Sequence, residues 1–194
     1  MAIRDVVIYP DEILRKPNSD ITVFDENLKQ LSEDMFETMY KNEGIGLAGP
    51  QIAENKNIVV IDIPEDDGSQ GKNKIVLINP KVTKLEGDIV ESQEGCLSVP
   101  GYQDKVERYE RCTVEYQNLN GEHCTFDNVD GLFAICLQHE IDHLHGKLFV
   151  DKLSRMKRDR LHKKYEKYVK SLKGEYSWIR EFSLPVLLNL LLFI

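Results

Sequence analysis

His139-Glu140-Ile141-Asp142-His143 is the stretch on which the reading of this chain turns. Two histidines four apart on a helix stand about 40° from one another around its axis, so both imidazoles point the same way. That spacing suits one metal ion gripped by both rings. The glutamate beside the first histidine can then reach a water on that metal and move its proton. The pattern reads as a metal-dependent hydrolase. Asp130 precedes the helix and Gly146 stops it, giving a segment Gly131–His145. Leu132, Ile135 and Cys136 fall seven, four and three residues before His139, on the same face, and predict an apolar wall beside the metal.

Working outward, Leu28, Leu31, Met35 and Met39 repeat at helical spacing, with Asp25 as N-cap and Gly44 as stop. They predict an amphipathic helix from about residue 26 to 43. Asn57–Ile63, Lys74–Asn79 and Lys81–Glu91 read as strands, with a polar turn-like loop, Glu65–Gly71, between the first two. Arg111–Asn118 and Glu122–Asp127 alternate around Asn120-Gly121, a hairpin signal. Ser154–Leu172 reads as a long charged helix. A strand-rich middle, in mixed or antiparallel sheets, packs around the metal-binding helix, with helices at both ends. The fold class is therefore α+β rather than a regular βαβ alternation.

At 194 residues, with 41% hydrophobic and 30% charged side chains, the chain suits one globular domain. The formal net charge of -8 is uneven. Residues 151–173 carry ten Lys/Arg against three Asp/Glu; residues 1–150 carry fourteen against twenty-eight. The acidic body argues against a nucleic-acid-binding domain overall, and no DNA partner is expected, while the basic segment leaves room for one local polyanion contact or is simply a solvated face. The four cysteines, Cys96, Cys112, Cys124 and Cys136, form no CxxC pair. Met1–Pro10 is too short and too polar for the apolar core of a signal peptide, so a reducing cytoplasm without disulfides is expected. Cys112 and Cys124 read as small buried hydrophobes. Ser183–Ile194 is almost wholly apolar, yet too short to span a bilayer. We read 1–173 as the catalytic domain and 174–194 as a tail dispensable for catalysis; membrane anchoring is the lesser reading.

Two histidines do not complete a catalytic metal site, which usually takes three protein ligands. His145 lies about 200° round the helix from His143 and faces away. His162 belongs to the basic helix and reads as a surface residue. Upstream, Cys96 stands in Gln93-Glu94-Gly95-Cys96-Leu97-Ser98, a strand-ending turn able to present a thiolate; a lone cysteine is otherwise a core residue. Gly44-Ile45-Gly46-Leu47-Ala48-Gly49-Pro50-Gln51 lets backbone approach a ligand closely, and Gln51 can aim an amide N–H at a developing oxyanion.

In this order, the three segments resemble the peptide deformylase family, with its Gly-x-Gly-Leu-Ala-Ala-x-Gln loop, Glu-Gly-Cys-Leu-Ser segment and His-Glu-x-x-His-Leu helix. They read here as Gly44–Gln51, Glu94–Ser98 and His139–Leu144. Tyr9-Pro10, Leu14-Arg15, Ile78-Asn79-Pro80 and Leu148-Phe149-Val150-Asp151 extend the likeness over roughly residues 5–165. Gly49 departs from the family's usual alanine, which is expected to loosen the loop.

The resemblance implies that Cys96, His139 and His143 bind one divalent metal, typically Fe²⁺, with Zn²⁺, Ni²⁺ or Co²⁺ also accepted. It implies that Glu140 is the general base and then the acid, and that Gln51 and the Leu97 N–H hold the oxyanion. The substrate would be the N-formyl group on the initiator methionine of nascent polypeptides, and the products formate and a free amine. Leu132, Ile135 and Cys136, with Ile45 opposite, would receive the unbranched thioether side chain. Ile45, Gly46 and Gly95 would pair with the substrate backbone as an added strand. The basic 152–173 helix is a candidate ribosome contact, and a monomer is expected.

The main rival is a metalloprotease sharing His-Glu-x-x-His, which needs a downstream third ligand; Glu166 and Glu175 are candidates. It leaves the Gly44–Gln51 and Glu94–Ser98 segments unexplained. A purely structural metal domain would have a fourth protein ligand and no need of Glu140. An inactive family member is the third alternative.

Overall fold

The computed structural model describes residues 2–65 and 67–172. Its helices are α1 (Glu26–Lys41), α2 (Gly131–Leu144) and α3 (Arg155–Leu172). Its strands are β1 (Gly46–Ala48), β2 (Ile58–Ile61), β3 (Ile75–Gly95), β4 (Gln103–Gln117) and β5 (His123–Val129). They form one sheet in the order β1-β2-β3-β4-β5, antiparallel throughout. The expected α+β class holds, with a single antiparallel sheet in place of mixed ones. The apolar tail, the division at residue 173 and Glu175 lie outside the described residues. Among the described residues no helix is long and apolar enough to cross a membrane.

The Ile58-Val59-Val60-Ile61 run has no polar face because both of its faces are covered. Ile58 and Val60 join Leu31, Met35 and Met39 under α1. Val59 and Ile61 join Ala134, Leu137 and Ile141 of α2. Alternation along a strand sends successive side chains to opposite helices. A third apolar group seats α3, through Leu161 and Tyr165, on Leu14, Val99, Phe149 and Val150.

The sequence reading breaks β3 at Pro80, yet the strand runs through it. Asn79 adopts φ 50°, and the register with β4 shifts between Ile78 and Lys81. This bulge absorbs the missing proline N–H. The Asn79 amide also accepts from Ile21 N–H and donates to Ile21 C=O, both at 2.8 Å. The Asn120-Gly121 hairpin forms as expected, Gly121 taking φ 79°. Cys112 is buried, but Cys124 is only half-buried on the edge strand β5, contrary to expectation.

Both helices that frame the site end in the same way. At α1 the left-handed residue is Glu43 (φ 59°) and not the expected Gly44. Glu43 N–H donates to Tyr40 C=O and Gly44 N–H to Met39 C=O, each at 3.0 Å. At α2 Gly146 takes φ 66°, donating to His143 C=O at 3.0 Å, while Lys147 N–H donates to Asp142 C=O at 2.9 Å. These paired bonds satisfy the last-turn carbonyls that would otherwise be orphaned.

Candidate active site

Helix α2 carries His139, Glu140 and His143 into the interior, where all three are buried. The turn after β3 brings Cys96 to them. Sγ of Cys96 lies 3.4 Å from His143 Nε2, which lies 3.3 Å from His139 Nε2. One ligand atom from each of the three residues falls within 4.8 Å of the others. His145 is outside this group, its Nδ1 2.9 Å from Ile141 C=O. His162 is half exposed on α3, 3.5 Å from Glu166, and neither residue belongs to the group.

Glu94 lies two residues before Cys96 and fixes the first imidazole. Its Oε2 is 2.8 Å from His139 Nδ1, so that nitrogen carries the proton and Nε2 turns its lone pair toward Cys96 and His143. The same carboxylate accepts two bonds from Arg108, Nε at 2.8 Å and Nη2 at 2.9 Å. Arg108 Nη1 continues to Asp142, inside the helix motif. Burial pushes the Glu94 carboxyl up, but Arg108 and His139 outweigh it and hold it at about 2. The sequence reading missed this relay of Glu94, Arg108 and Asp142. A charged residue two positions before a buried cysteine on a strand was the available signal for Glu94. Nothing local points to Arg108.

Glu140 is fully buried, and neither carboxylate oxygen has a hydrogen-bond partner among the described residues. Burial raises its pKa well above the ordinary value, and Glu94 adds to the rise while Arg108 opposes it. Burial also holds the His143 imidazole neutral, with His139 and Arg108 acting in the same direction. It pushes the Cys96 thiol up, and Glu140 adds to that shift. Two converging Nε2 atoms, a dry thiol and a carboxylate without a donor among the described residues make a pocket that fits a divalent cation. Such a cation lowers the thiol pKa and satisfies all three donors at once.

The Gly44–Gln51 segment closes the site from the other side. A Cβ on Gly44 would meet Leu97 Cδ1 at 2.8 Å, and one on Gly46 would meet Glu140 Oε1 at 2.5 Å. At Gly46 the Glu140 Cγ and Cδ would also lie within 3.0 Å, so that glycine is the one required by close approach, whereas the Leu97 side chain could yield at Gly44. Gly49 does not loosen the loop as expected: a Cβ there would strike Glu54 C=O at 2.6 Å and Lys56 C=O at 2.8 Å. Gln51 is buried and oriented by Ala48, whose N–H donates to its Oε1 at 2.7 Å. That leaves Nε2 facing Cys96 Sγ at 3.5 Å and Ser98 Oγ at 3.4 Å. Leu97, next to Cys96, is nearly buried against Gly44.

Strand β1 is a sheet edge. Asp62 N–H donates to Ile45 C=O at 2.9 Å, so Ile45 faces β2 in the hydrogen-bonded register. Antiparallel alternation then turns the N–H and C=O of Gly46 away from β2, to the open edge. Gly95 ends β3 immediately before the cysteine. Ile45, Ile135 and Cys136 share one buried apolar cluster. Leu132 does not join them; it lies in the first turn of α2 and is 42% exposed.

Together these residues define a metal-dependent hydrolase centre of the His-Glu-x-x-His kind whose third candidate ligand is a cysteine rather than a downstream glutamate. A family model described as polypeptide deformylase matches residues 3–159. A peptide deformylase of Alkalilimnicola ehrlichii is 45% identical over 171 residues, covering 88% of this chain and 93% of that one. One from Desulfotalea psychrophila is 48% identical over 168 residues, covering 87% and 98%. The crystal structure of a Legionella pneumophila peptide deformylase matches with TM-score 0.79 at 44% identity, covering 90% of this chain and 99% of that one. The Ehrlichia chaffeensis enzyme in complex with actinonin matches with TM-score 0.80 at 39% identity, covering 87% and 98%. The chain belongs to the polypeptide deformylase family, metal-dependent hydrolases that remove the N-formyl group from nascent peptides. A metalloprotease is not favoured.

Proposed function

We propose that Cys96, His139 and His143 hold one divalent metal, Fe²⁺ in the cell, with Zn²⁺, Ni²⁺ or Co²⁺ as substitutes. The observation that carries this reading is the convergence of Cys96 Sγ and the two Nε2 atoms, with the next residue on α2, Glu140, buried and without a hydrogen-bond partner for its carboxylate among the described residues. When bound, the metal supplies a Lewis acid for the formyl oxygen and for water. Glu140 takes the proton of the attacking water and delivers it to the departing amine nitrogen as the C–N bond breaks. A buried carboxylate with no competing hydrogen-bond donor among the described residues is free to take the proton first and give it up later. Gln51 Nε2–H and the Leu97 N–H hold the oxygen on which charge develops. Formate and a free N-terminal amine are the products.

The methionine side chain enters between Ile45 and the α2 residues Ile135 and Cys136, with the exposed Leu132 at the rim. The peptide backbone pairs with Gly46 at the open edge on one side and with Gly95 on the other, whereas the Ile45 carbonyl, expected to share in this pairing, is already taken by Asp62 N–H. Such contacts recognise backbone, so they admit many residues after the methionine. Lys163, Lys164 and Lys167 are exposed on α3, with Lys163 and Lys167 turned away from the Leu161 and Tyr165 seam and Lys164 at its flank, its Nζ 5.9 Å from the centre of the Tyr165 ring. We read this face as a ribosomal RNA contact of a cytoplasmic monomer. Co-sedimentation with ribosomes that weakens with salt, and is lost on charge reversal of the three lysines, is the expected result. The activity itself is tested by incubating metal-loaded protein with a formyl-Met peptide. Formate together with an intact deformylated peptide is expected; cleavage at an internal peptide bond would instead make it a protease.

A further inference from the structure

The polar loop between β2 and β3 has no part in the chemistry above, yet it is bound to the substrate edge at one point. The ladder between β1 and β2 ends at Ile45 and Asp62, where Asp62 N–H reaches Ile45 C=O. Beyond that bond the carbonyls of Gly44 and Asp62 have no ladder partner of their own among the described residues. The Gln70 side chain supplies one to both, its Nε2 lying 3.1 Å from Gly44 O and 3.2 Å from Asp62 O. A primary amide has two N–H bonds, so one side chain can satisfy both carbonyls and clip the strand ends together. The loop that carries Gln70 is itself held down. The buried Asp62 carboxylate accepts from Tyr40 O–H, from Gly71 N–H and, at 3.2 Å, from Asn73 N–H.

We propose that Gln70 is a positioning residue. It fixes the Gly44-Ile45-Gly46 backbone against which the peptide following the formyl-methionine pairs, and so sets affinity for longer substrates. The inference rests on the deformylase reading. Among the described residues the Gln70 side chain bonds to Gly44 and Asp62 and not to Cys96, His139, His143 or Glu140, so its loss should fall on binding of the extended backbone. One hydrogen-bonded clip corresponds to about a fivefold effect on an equilibrium.

The test compares wild type with Gln70→Met, which keeps length and loses the donors, and with Gln70→Asn, which keeps the amide on a shorter arm. Each is metal-loaded and assayed on formyl-Met amide and on formyl-Met followed by two residues. For Gln70→Met we expect KM on the longer substrate to rise about fivefold with kcat within about twofold. On formyl-Met amide the rise in KM should shrink below about twofold. Gln70→Asn should recover part of the loss. Equal effects on both substrates, a fall confined to kcat, or no change in either would overturn the proposal. Failure of the wild type to release formate from either substrate would overturn the deformylase reading first, and this inference with it. Should Gln70→Met unfold, the same comparison is read from Gln70→Asn alone.

Discussion

Glu94 Oε2 stands 2.8 Å from His139 Nδ1, and the same carboxylate is gripped by Arg108. The pair fixes both the tautomer and the orientation of the first imidazole. An outer carboxylate of this kind is worth about 10–100-fold in metal affinity. Glu94→Gln should therefore weaken metal binding by roughly that factor, because the amide is uncharged and its single oxygen cannot accept from His139 and from both Arg108 N–H groups. Chelator competition measures it directly; unchanged affinity would show that Glu94 only packs.

Cys96 decides between this centre and a two-histidine protease site. Cys96→Ala should leave the sheet and α2 in place but lose metal at neutral pH, since two imidazoles remain of three ligands. Metal content by elemental analysis, beside far-UV circular dichroism, gives the answer. Retention of a full metal equivalent would exclude the thiolate as ligand.

Gly46 leaves no room for a side chain, because its Cβ would sit 2.5 Å from Glu140 Oε1. Gly46→Ala should displace that carboxylate. Misplacing a catalytic group by an ångström can cost about 10²-fold in rate. The overpacking should cost about 1–3 kcal/mol in stability. The expected result is a kcat reduced by about two orders of magnitude in a protein that still binds metal. Wild-type kcat would show that Glu140 has freedom to move.

Asp151 joins the N-terminal segment to the turn before α3. Its carboxylate pairs with Arg15 and accepts the Leu148 N–H at 2.8 Å. Burial raises its pKa, but Arg15 and the Leu148 N–H outweigh burial and hold it below the ordinary 3.8. A depressed folded-state value means the contribution is complete above 3.8 and disappears as pH falls through the folded value. Asp151→Asn should cost about 1 kcal/mol at neutral pH. The gap to wild type should close in acid, as read from urea midpoints across pH. A gap independent of pH would contradict the ion pair as its source.

The motif helix was legible from local spacing; the glycine loop and the cysteine turn, each a weak signal alone, took their reading from the resemblance carried by the three ordered segments. His139 and His143 share a face by helical geometry, and the Asn120-Gly121 turn declares its hairpin. Contacts made across the sheet were not legible. Arg108 is 14 residues from Glu94 and His139 is 45, and only the fold brings them together. Leu132 has the right phase for the pocket wall, but it sits in the first turn of α2 and stays exposed. Pro80 reads as a strand end because the rule for proline in a ladder is sound; the bulge at Asn79 is a tertiary solution to it. Gly49 reads as slack in the loop and is instead pressed against two carbonyls from Glu54 and Lys56.

The central claim is that Glu140 moves the proton for formyl hydrolysis at a Cys96, His139 and His143 metal centre. It is tested most directly by formate release from a formyl-Met peptide, using anaerobically purified wild type beside Glu140→Ala, with metal content measured in both. The account predicts formate from the wild type and its loss in the variant while metal stays bound. Formate release by metal-loaded Glu140→Ala at the wild-type rate would contradict it.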